Sequence, residues 1–296
     1  DSSSNVEESM GEERVKKDIN YKKVKDFRVM AWNGNGIRSL INKGDELRNF
    51  LRDQKPDVLF FPETKGNSKT EEKTQNDLKS IFEAALPDDS YSFYWSYSEV
   101  PGRFGNCLAI NNKYKVEEIR YSWRKDEIDP EGRIIIIKVK RVSFVQDKGL
   151  YILGLYVPNA STELKRLQYK LDWMKKLRKT MDKLKAAGNT VIVIGDINVA
   201  PTEHDLANPK GNERTPGFTL EERNQFKLLL SEEYVDVWRE RNPLGESDPG
   251  YTYWNTKFNA RIKNTGWRID LVIMDKDSYN QNIVKDVREY PKYLGS

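Results

Sequence analysis

Three carboxylates in this sequence stand where apolar, β-rich runs end: Glu63 follows Asp57-Val-Leu-Phe-Phe61, Asp196 follows Thr190-Val-Ile-Val-Ile194, and Asp270 lies within Arg268 to Met274. Strands ending at one edge can bring such side chains together. Converging carboxylates with amides beside them form the oxygen-rich donor set of a hydrated magnesium ion. A single strand-end acid more often faces solvent or caps a helix, so the three count only with their neighbours. Those are Trp32-Asn33-Gly34-Asn35-Gly36, Pro62-Glu63-Thr64-Lys65, Tyr156-Val-Pro-Asn159-Ala160, Gly195-Asp196-Ile-Asn198-Val-Ala200 and Gly266-Trp267-Arg268-Ile-Asp270. Composition narrows the other chemistries. The one cysteine, Cys107, excludes an internal disulfide and a multi-cysteine zinc site, and makes a reducing compartment the default. The one histidine, His204, leaves Ser-His-Asp hydrolysis and histidine metal clusters a single position to draw on.

The elements that must carry these residues alternate between short β-rich runs and amphipathic helices. Phe27 to Trp32, Asp57 to Phe61, Ser92 to Glu99, Leu108 to Asn111, Ile134 to Val142, Leu150 to Val157, Thr190 to Ile194, Tyr251 to Trp254 and Arg268 to Met274 read as strands. Leu47, Phe50 and Leu51 give Glu46 to Arg52 a helical face, Thr162 to Lys185 reads as a long helix, and Thr219-Leu-Glu-Glu222 opens another with a capping box. Four strands in succession from Ser92 exclude a simple βαβ alternation. Two packed mixed sheets with helices outside fit the order better. The 296 residues suit one domain over 26–296, preceded by a charged arm over 1–25 expected to be disordered. No run nears the ~18 apolar residues of a membrane span. A net charge of +4, from 50 basic and 46 acidic groups, says little alone about nucleic acid.

Taken in order, the five segments resemble the motif series of the endonuclease/exonuclease/phosphatase superfamily. Asn208-Pro-Lys-Gly-Asn212, Gly217-Phe-Thr219, Glu222-Arg223 and Asn259-Ala-Arg261 resemble its exonuclease III and abasic-site (AP) endonuclease branch, and the likeness runs from about Phe27 to Ser296. The resemblance implies a DNase I-like, four-layer α/β sandwich. It implies magnesium-dependent hydrolysis, with manganese as the alternative metal, of the phosphodiester 5′ to an abasic site in base excision repair, together with 3′-5′ exonuclease or 3′-phosphodiesterase activity. Glu63 matches the principal metal ligand, and Asn35 contributes through the metal shell. Asp196 matches the residue that positions or deprotonates the attacking water, Asn198 the amide that holds the scissile phosphate, and Tyr156 a phenol near the leaving group. Asn33 and Asp270 match the network that orients them. Tyr253, Trp267 and Ile269 match an apolar pocket for a sugar lacking its base, and Arg38, Lys65, Arg133, Asn159, Lys210 and Asn212 match contacts to the DNA backbone. The implied partner is double-stranded DNA with abasic sites, met by a monomer with no membrane attachment. The implied compartment is the nucleus, with the mitochondrion as alternative.

Departures accompany the likeness. Tyr293-Leu-Gly-Ser296 matches the lead-in to the family's Ser-Asp-His motif and stops at its serine. The aspartate, the histidine and the final strand are expected beyond Ser296 in a longer parent protein, and the chain as it stands is expected to be nearly inactive. The alternative is a catalytically inactive nuclease-like domain that binds nucleic acid or serves as a scaffold. Retention of Glu63, Tyr156, Asp196, Asn198 and Asp270 favours the first. His204 falls at a position without catalytic duty in relatives. Pro62 replaces a common glutamine, Gly34 replaces a larger residue, and Arg103 and Phe104 alter a DNA-contacting loop. Thr162 and Lys257 fall where some relatives place DNA-inserting side chains.

Overall fold

A strand that is apolar at every position, as Val58–Phe61 is, needs cover on both faces, and the computed structural model supplies it with two stacked sheets. It describes residues 26–66, 71–140, 142, 149–244, 249–256 and 259–290. The expected arm over 1–25, Lys257 and the Tyr293 to Ser296 lead-in lie outside these residues. The first sheet takes β1 (Val29–Ala31), β2 (Val58–Phe61), β3 (Tyr91–Ser96) and β4 (Asn106–Asn111) in the order β1-β2-β4-β3. The second takes β5 (Lys115–Arg120), β6 (Ile134–Lys140), β7 (Leu150–Tyr156), β8 (Thr190–Asp196), β9 (Tyr234–Asp236) and β12 (Asp270–Asp275), in the order β5-β6-β7-β8-β12-β9. A two-stranded ribbon, β10 (Tyr253–Trp254) with β11 (Gly266–Trp267), stands apart. β1–β2 and β7–β8 pair in parallel; the other pairs are antiparallel.

Side-chain alternation sorts each strand between two cores. Val58 and Phe60 of β2 meet Ile135, Ile137, Leu150 and Ile152 between the sheets, whereas Leu59 and Phe61 face outward. There they pack on α1 (Ile37–Asn42), α2 (Gly44–Gln54) and α3 (Glu71–Ala85) through Leu40, Leu47, Phe50, Leu78 and Phe82. Behind the second sheet, Ile136, Leu153 and Val193 pack on α4 (Leu167–Ala186) and α5 (Leu220–Leu230) through Trp173, Met174, Leu177 and Phe226. The result is the expected four-layer sandwich. Short helices α6 (Val237–Arg241) and α7 (Lys276–Tyr279) close the β9 and β12 end. Where the sheets come closest, Phe60 wedges against Gly154 and Gly195; a Cβ at either would lie 2.4 and 2.8 Å from its ring. Gly195 also has φ 127, and Asp196 follows it directly, so the sheet contact and the site share one backbone turn.

Several boundaries differ from those the sequence predicts. The long helix starts at Leu167 rather than Thr162, because Ser161, Glu163 and Leu164 hold positive φ (64°, 58° and 58°) around a single 3-10 turn. Tyr251 to Trp254 shortens to β10, and the last strand begins at Asp270 rather than Arg268. β5 was not expected: Lys115-Val-Glu-Glu-Ile-Arg120 is a charged edge strand, and edge strands carry such charge against stray pairing. α3 was not expected either, although Leu78, Ile81, Phe82 and Ala85 carry helical spacing.

Candidate active site

Register brings the chemistry together. Tyr156 at the end of β7 pairs with Asp196 at the end of β8, and Asp196 pairs with Asp270 at the start of β12. A phenol and two carboxylates thus form one row across three adjacent strands, with neighbours separated by a strand spacing of about 4.8 Å. Burial first, and then the negative charge of Asp270 and of Glu63, pushes the Asp196 carboxyl well above its usual range; the Asn198 N–H and the Lys170 ammonium pull the other way. Asp270 is pushed up to about 6, by burial and then by Glu63, against a hydrogen bond from Thr252. Its Oδ1 is buried with no hydrogen-bond partner among the described residues. The Tyr156 phenol is pushed far up by burial and by the charges of Glu63 and Asp196, so it stays protonated throughout the neutral range. Asp270 and Asn33 also line one cleft of about 1490 Å³ that opens beside β1.

Glu63 reaches this row from the other sheet. Its loop is tied to its neighbours by main-chain bonds: Ile37 N–H to Thr64 O (2.8 Å), Thr64 N–H to Gly105 O (2.8 Å) and Lys65 N–H to Phe104 O (2.7 Å). Asn35, Glu63, Lys65 and Phe104 all hold φ between 52° and 55°, left-handed values that non-glycine residues rarely adopt. Such outliers concentrate where surrounding structure over-determines a functional position. Lys65 Nζ lies 3.4 Å from Glu63 Oε1 and donates to Asn35 Oδ1, and Asn33 Oδ1 accepts from the Asn35 N–H at 2.9 Å. One carboxylate oxygen and one amide oxygen therefore already face a common positive charge. A magnesium ion, which is usually held by one or two carboxylates and several waters, fits that donor pair and the uncompensated carboxylates behind it. Among the described residues no group of three or more His, Cys, Asp or Glu side chains forms a closed metal cage.

Asn198 sits past the end of β8 in a left-handed turn (φ 55°). Its N–H donates to Asp196 Oδ1 (2.8 Å), its Nδ2 to Val157 O (2.9 Å), and its Oδ1 accepts from Asn159 Nδ2 (3.2 Å). An amide nitrogen carries two hydrogens, so one remains for an incoming acceptor. Beneath it, fully buried Lys170 donates to Asn198 O (2.6 Å) and to Glu222 Oε1 (2.6 Å). Removing one partner of such a buried pair costs about 3–5 kcal/mol. The sequence signal was readable: Lys170 heads the stripe of Trp173, Met174 and Leu177 on α4 at helical spacing, and the capping box already named Glu222.

Beside the row lies an apolar cluster. Tyr253 and Trp267 are register partners on the ribbon, and with Ile269 they pack around Ala200, Leu206 and Phe218. Phe218 meets Trp267 edge-on at 6.2 Å; it belongs to this cluster and was not among the expected residues. Burial, then the charges of Asp196 and Glu63, raises the Tyr253 phenol, which places the cluster next to the acids. Arg268 anchors this strand entry from below, with bonds to Asp205 (2.7 Å) and Asp236 (2.7 and 3.1 Å).

The expected DNA contacts divide. Arg38, Asn159 and Lys210 are exposed, and Lys65 is partly so. Arg133 is a correction: its side chain is 1% exposed, pairs with Glu131 (2.6 Å), donates to Tyr156 O (3.0 Å) and lies between the Phe104 and Tyr156 rings, 4.2 and 4.5 Å away. A guanidinium sandwiched in this way braces Tyr156 and does not face a ligand. Asn212 is half-buried and bonds within its own loop, to Asn208 O (2.6 Å) and the Thr215 hydroxyl (2.9 Å), with one Nδ2 hydrogen left over.

Comparison with known proteins fits this geometry. The profile of the Endonuclease/Exonuclease/phosphatase family matches residues 30–287. A DNA-(apurinic or apyrimidinic site) endonuclease of Dictyostelium discoideum is 33% identical over 252 residues, 84% of this chain and 63% of that protein, so the chain spans just under two thirds of its length. An exodeoxyribonuclease of Bacillus subtilis is 31% identical over 270 residues, 91% of this chain and 96% of that protein. Among solved structures, an AP endonuclease from Leishmania major superposes with a TM-score of 0.76 at 25% identity, over 90% of this chain and 83% of that one.

Proposed function

The chain belongs to the endonuclease/exonuclease/phosphatase family, and we propose that within it the protein is a DNA-repair phosphodiesterase that cuts 5′ to abasic sites with the help of a magnesium ion. The observation that carries this reading is the row Tyr156–Asp196–Asp270 facing Glu63 with an apolar cluster alongside. Relatives named as an abasic-site endonuclease and an exodeoxyribonuclease support it. A binding scaffold has no use for carboxylates buried against one another at electrostatic cost.

Each residue's part follows from its surroundings. Glu63 and Asn35 would hold the magnesium ion, which supplies positive charge to the phosphate oxygens and sets their orientation. Asp196, with its raised affinity for protons, takes one from a water that attacks phosphorus. The spare Nδ2 hydrogen of Asn198 is presented to a phosphate oxygen as negative charge builds there. Tyr156, held protonated, donates toward the departing 3′ oxygen, so one proton is taken at the attacking side and one supplied at the leaving side. The pocket of Tyr253, Trp267, Phe218 and Ile269 accepts a sugar without its base, and unstacking costs least where no base is stacked. Lys65, Arg38, Asn159 and Lys210 attract the phosphate backbone, which gives salt-dependent affinity without sequence preference. The nucleus is the compartment this substrate suggests.

The test is incision of a duplex with one abasic-site analogue, in magnesium and in EDTA, beside an undamaged duplex, by a version of the chain that carries the family's Ser-Asp-His motif in full. A single cut 5′ to the analogue, dependent on magnesium, is expected. Equal cutting of undamaged DNA would make the protein a general nuclease, and no cutting by a folded, metal-loaded protein would return it to the scaffold reading.

A further inference from the structure

Two opposite charges lie wholly buried under this site, and neither touches the reacting groups. Lys170 and Glu222 are both 0% exposed, with Nζ 2.6 Å from Oε1. Mutual neutralisation is a poor reason to bury them, because an apolar pair of similar volume is often as stable or more so. An ion pair differs from an apolar pair in having direction, and here both partners use theirs. Lys170 Nζ also donates to the main-chain oxygen of Asn198 at 2.6 Å. The Glu222 carboxylate also accepts from the Gly217 N–H (2.9 Å to Oε2), the Thr219 N–H (3.1 Å) and the Thr219 hydroxyl (2.8 Å).

Three chain segments meet on this one pair: helix α4, the turn that carries Asn198, and the loop over 217–219 that carries Phe218. Both turns need holding. Asn198 is left-handed without being a glycine, and Gly217 has φ 94 with room for a Cβ only 3.0 Å from Asn198 O. The two turns therefore press on each other, and the pair fixes their separation from below.

We propose that Lys170 and Glu222 are positioning residues that set the Asn198 amide against the phosphate and the Phe218–Trp267 wall against the baseless sugar at the same time. The proposal rests on the phosphodiesterase reading above. It couples two properties that would otherwise vary separately, turnover and preference for the abasic site. Misplacing a reacting geometry by an ångström from a remote change can cost about 100-fold in rate, and the coupling predicts that selectivity falls with it.

The experiment takes the version that carries the Ser-Asp-His motif in full as wild type and compares it with Lys170→Met/Glu222→Gln, in which the glutamine oxygen can still cap Gly217 and Thr219, and with Lys170→Arg, which keeps a cation able to reach both acceptors. Lys170→Met alone would leave Glu222 charged and unpaired and serves only as a folding control. Rates of incision of the abasic duplex in magnesium are corrected for the folded fraction. Binding of abasic over intact duplex is measured in EDTA. The double variant should fold, lose about 100-fold in kcat with KM within about 3-fold, and lose most of its binding preference, whereas Lys170→Arg should recover most of both. A double variant that only melts earlier, or that loses rate while keeping its preference, overturns the proposal. A wild type that leaves the abasic duplex uncut defeats the nuclease reading and this proposal with it; an active wild type beside an unaffected double variant defeats this proposal alone.

Discussion

The two sheets build opposite walls of the site in opposite ways. The second sheet contributes Tyr156, Asp196 and Asp270 as register neighbours on paired strands, and Tyr156 and Asp196 are almost wholly buried. The first sheet contributes Asn35, Glu63 and Lys65 from loops in left-handed conformations, partly open to water. Groups that take or give a proton at a fixed atom gain from a ladder that cannot slip, and from burial that shifts their proton affinity. Groups that hold a hydrated cation gain from water and from loop oxygens that adjust. The wall that handles protons is rigid and dry. The wall that handles charge is looped and wet.

The largest effect should come from breaking the dry wall. Asp196→Asn is expected to cost about 1000-fold in incision while abasic duplex still binds; unchanged incision would remove Asp196 from proton transfer. The same change relieves repulsion with Asp270 and Glu63, so the EDTA-treated variant should melt at a higher temperature than wild type. On the wet wall, Glu63→Gln should act through the metal and raise the magnesium needed for half-maximal rate by roughly 10- to 100-fold. An equal loss of rate at saturating magnesium would place Glu63 in the chemistry instead. Trp267→Ala tests the apolar cluster beside the row as the proposed sugar site: preference for the abasic over the intact duplex should fall about 10-fold, and an unchanged ratio would assign that preference to other contacts.

The smallest effect sharpens the electrostatic half of the comparison. Asp270 titrates near 6 in the fold, against about 3.9 in an unfolded chain. Between those values the native state binds more protons, so metal-free stability falls as pH rises from about 4 to 6 and levels off above. Thermal unfolding in EDTA should therefore show Asp270→Asn more stable than wild type at pH 7.5, with a gap that narrows toward pH 4.5. A gap independent of pH would mean that Asp270 is not held protonated by its surroundings.

Much of this was legible in the residues. The apolar runs Val58 to Phe61, Ile134 to Ile137 and Thr190 to Ile194 require strands covered on both faces, and the capping box at Thr219 and Glu222 is where the sequence predicts it. The convergence of Glu63, Asp196 and Asp270 followed from their places at strand ends, because register is set by which face must be buried. Arg133 was misread because an arginine written beside a loop looks the same whether it meets phosphate or two aromatic rings; only packing distinguishes them.

By itself, then, the sequence determined which faces had to be buried, which runs became strands and which acids stood at their ends, because hydrophobic periodicity and capping act over a few neighbouring residues. Only the tertiary structure decided that Lys170 and Glu222, 52 residues apart, would join beneath Asn198, that Phe218 would pack on Trp267, and that Arg133 would turn inward. Those outcomes depend on which distant segments share the same small volume, and local pattern carries no information about that.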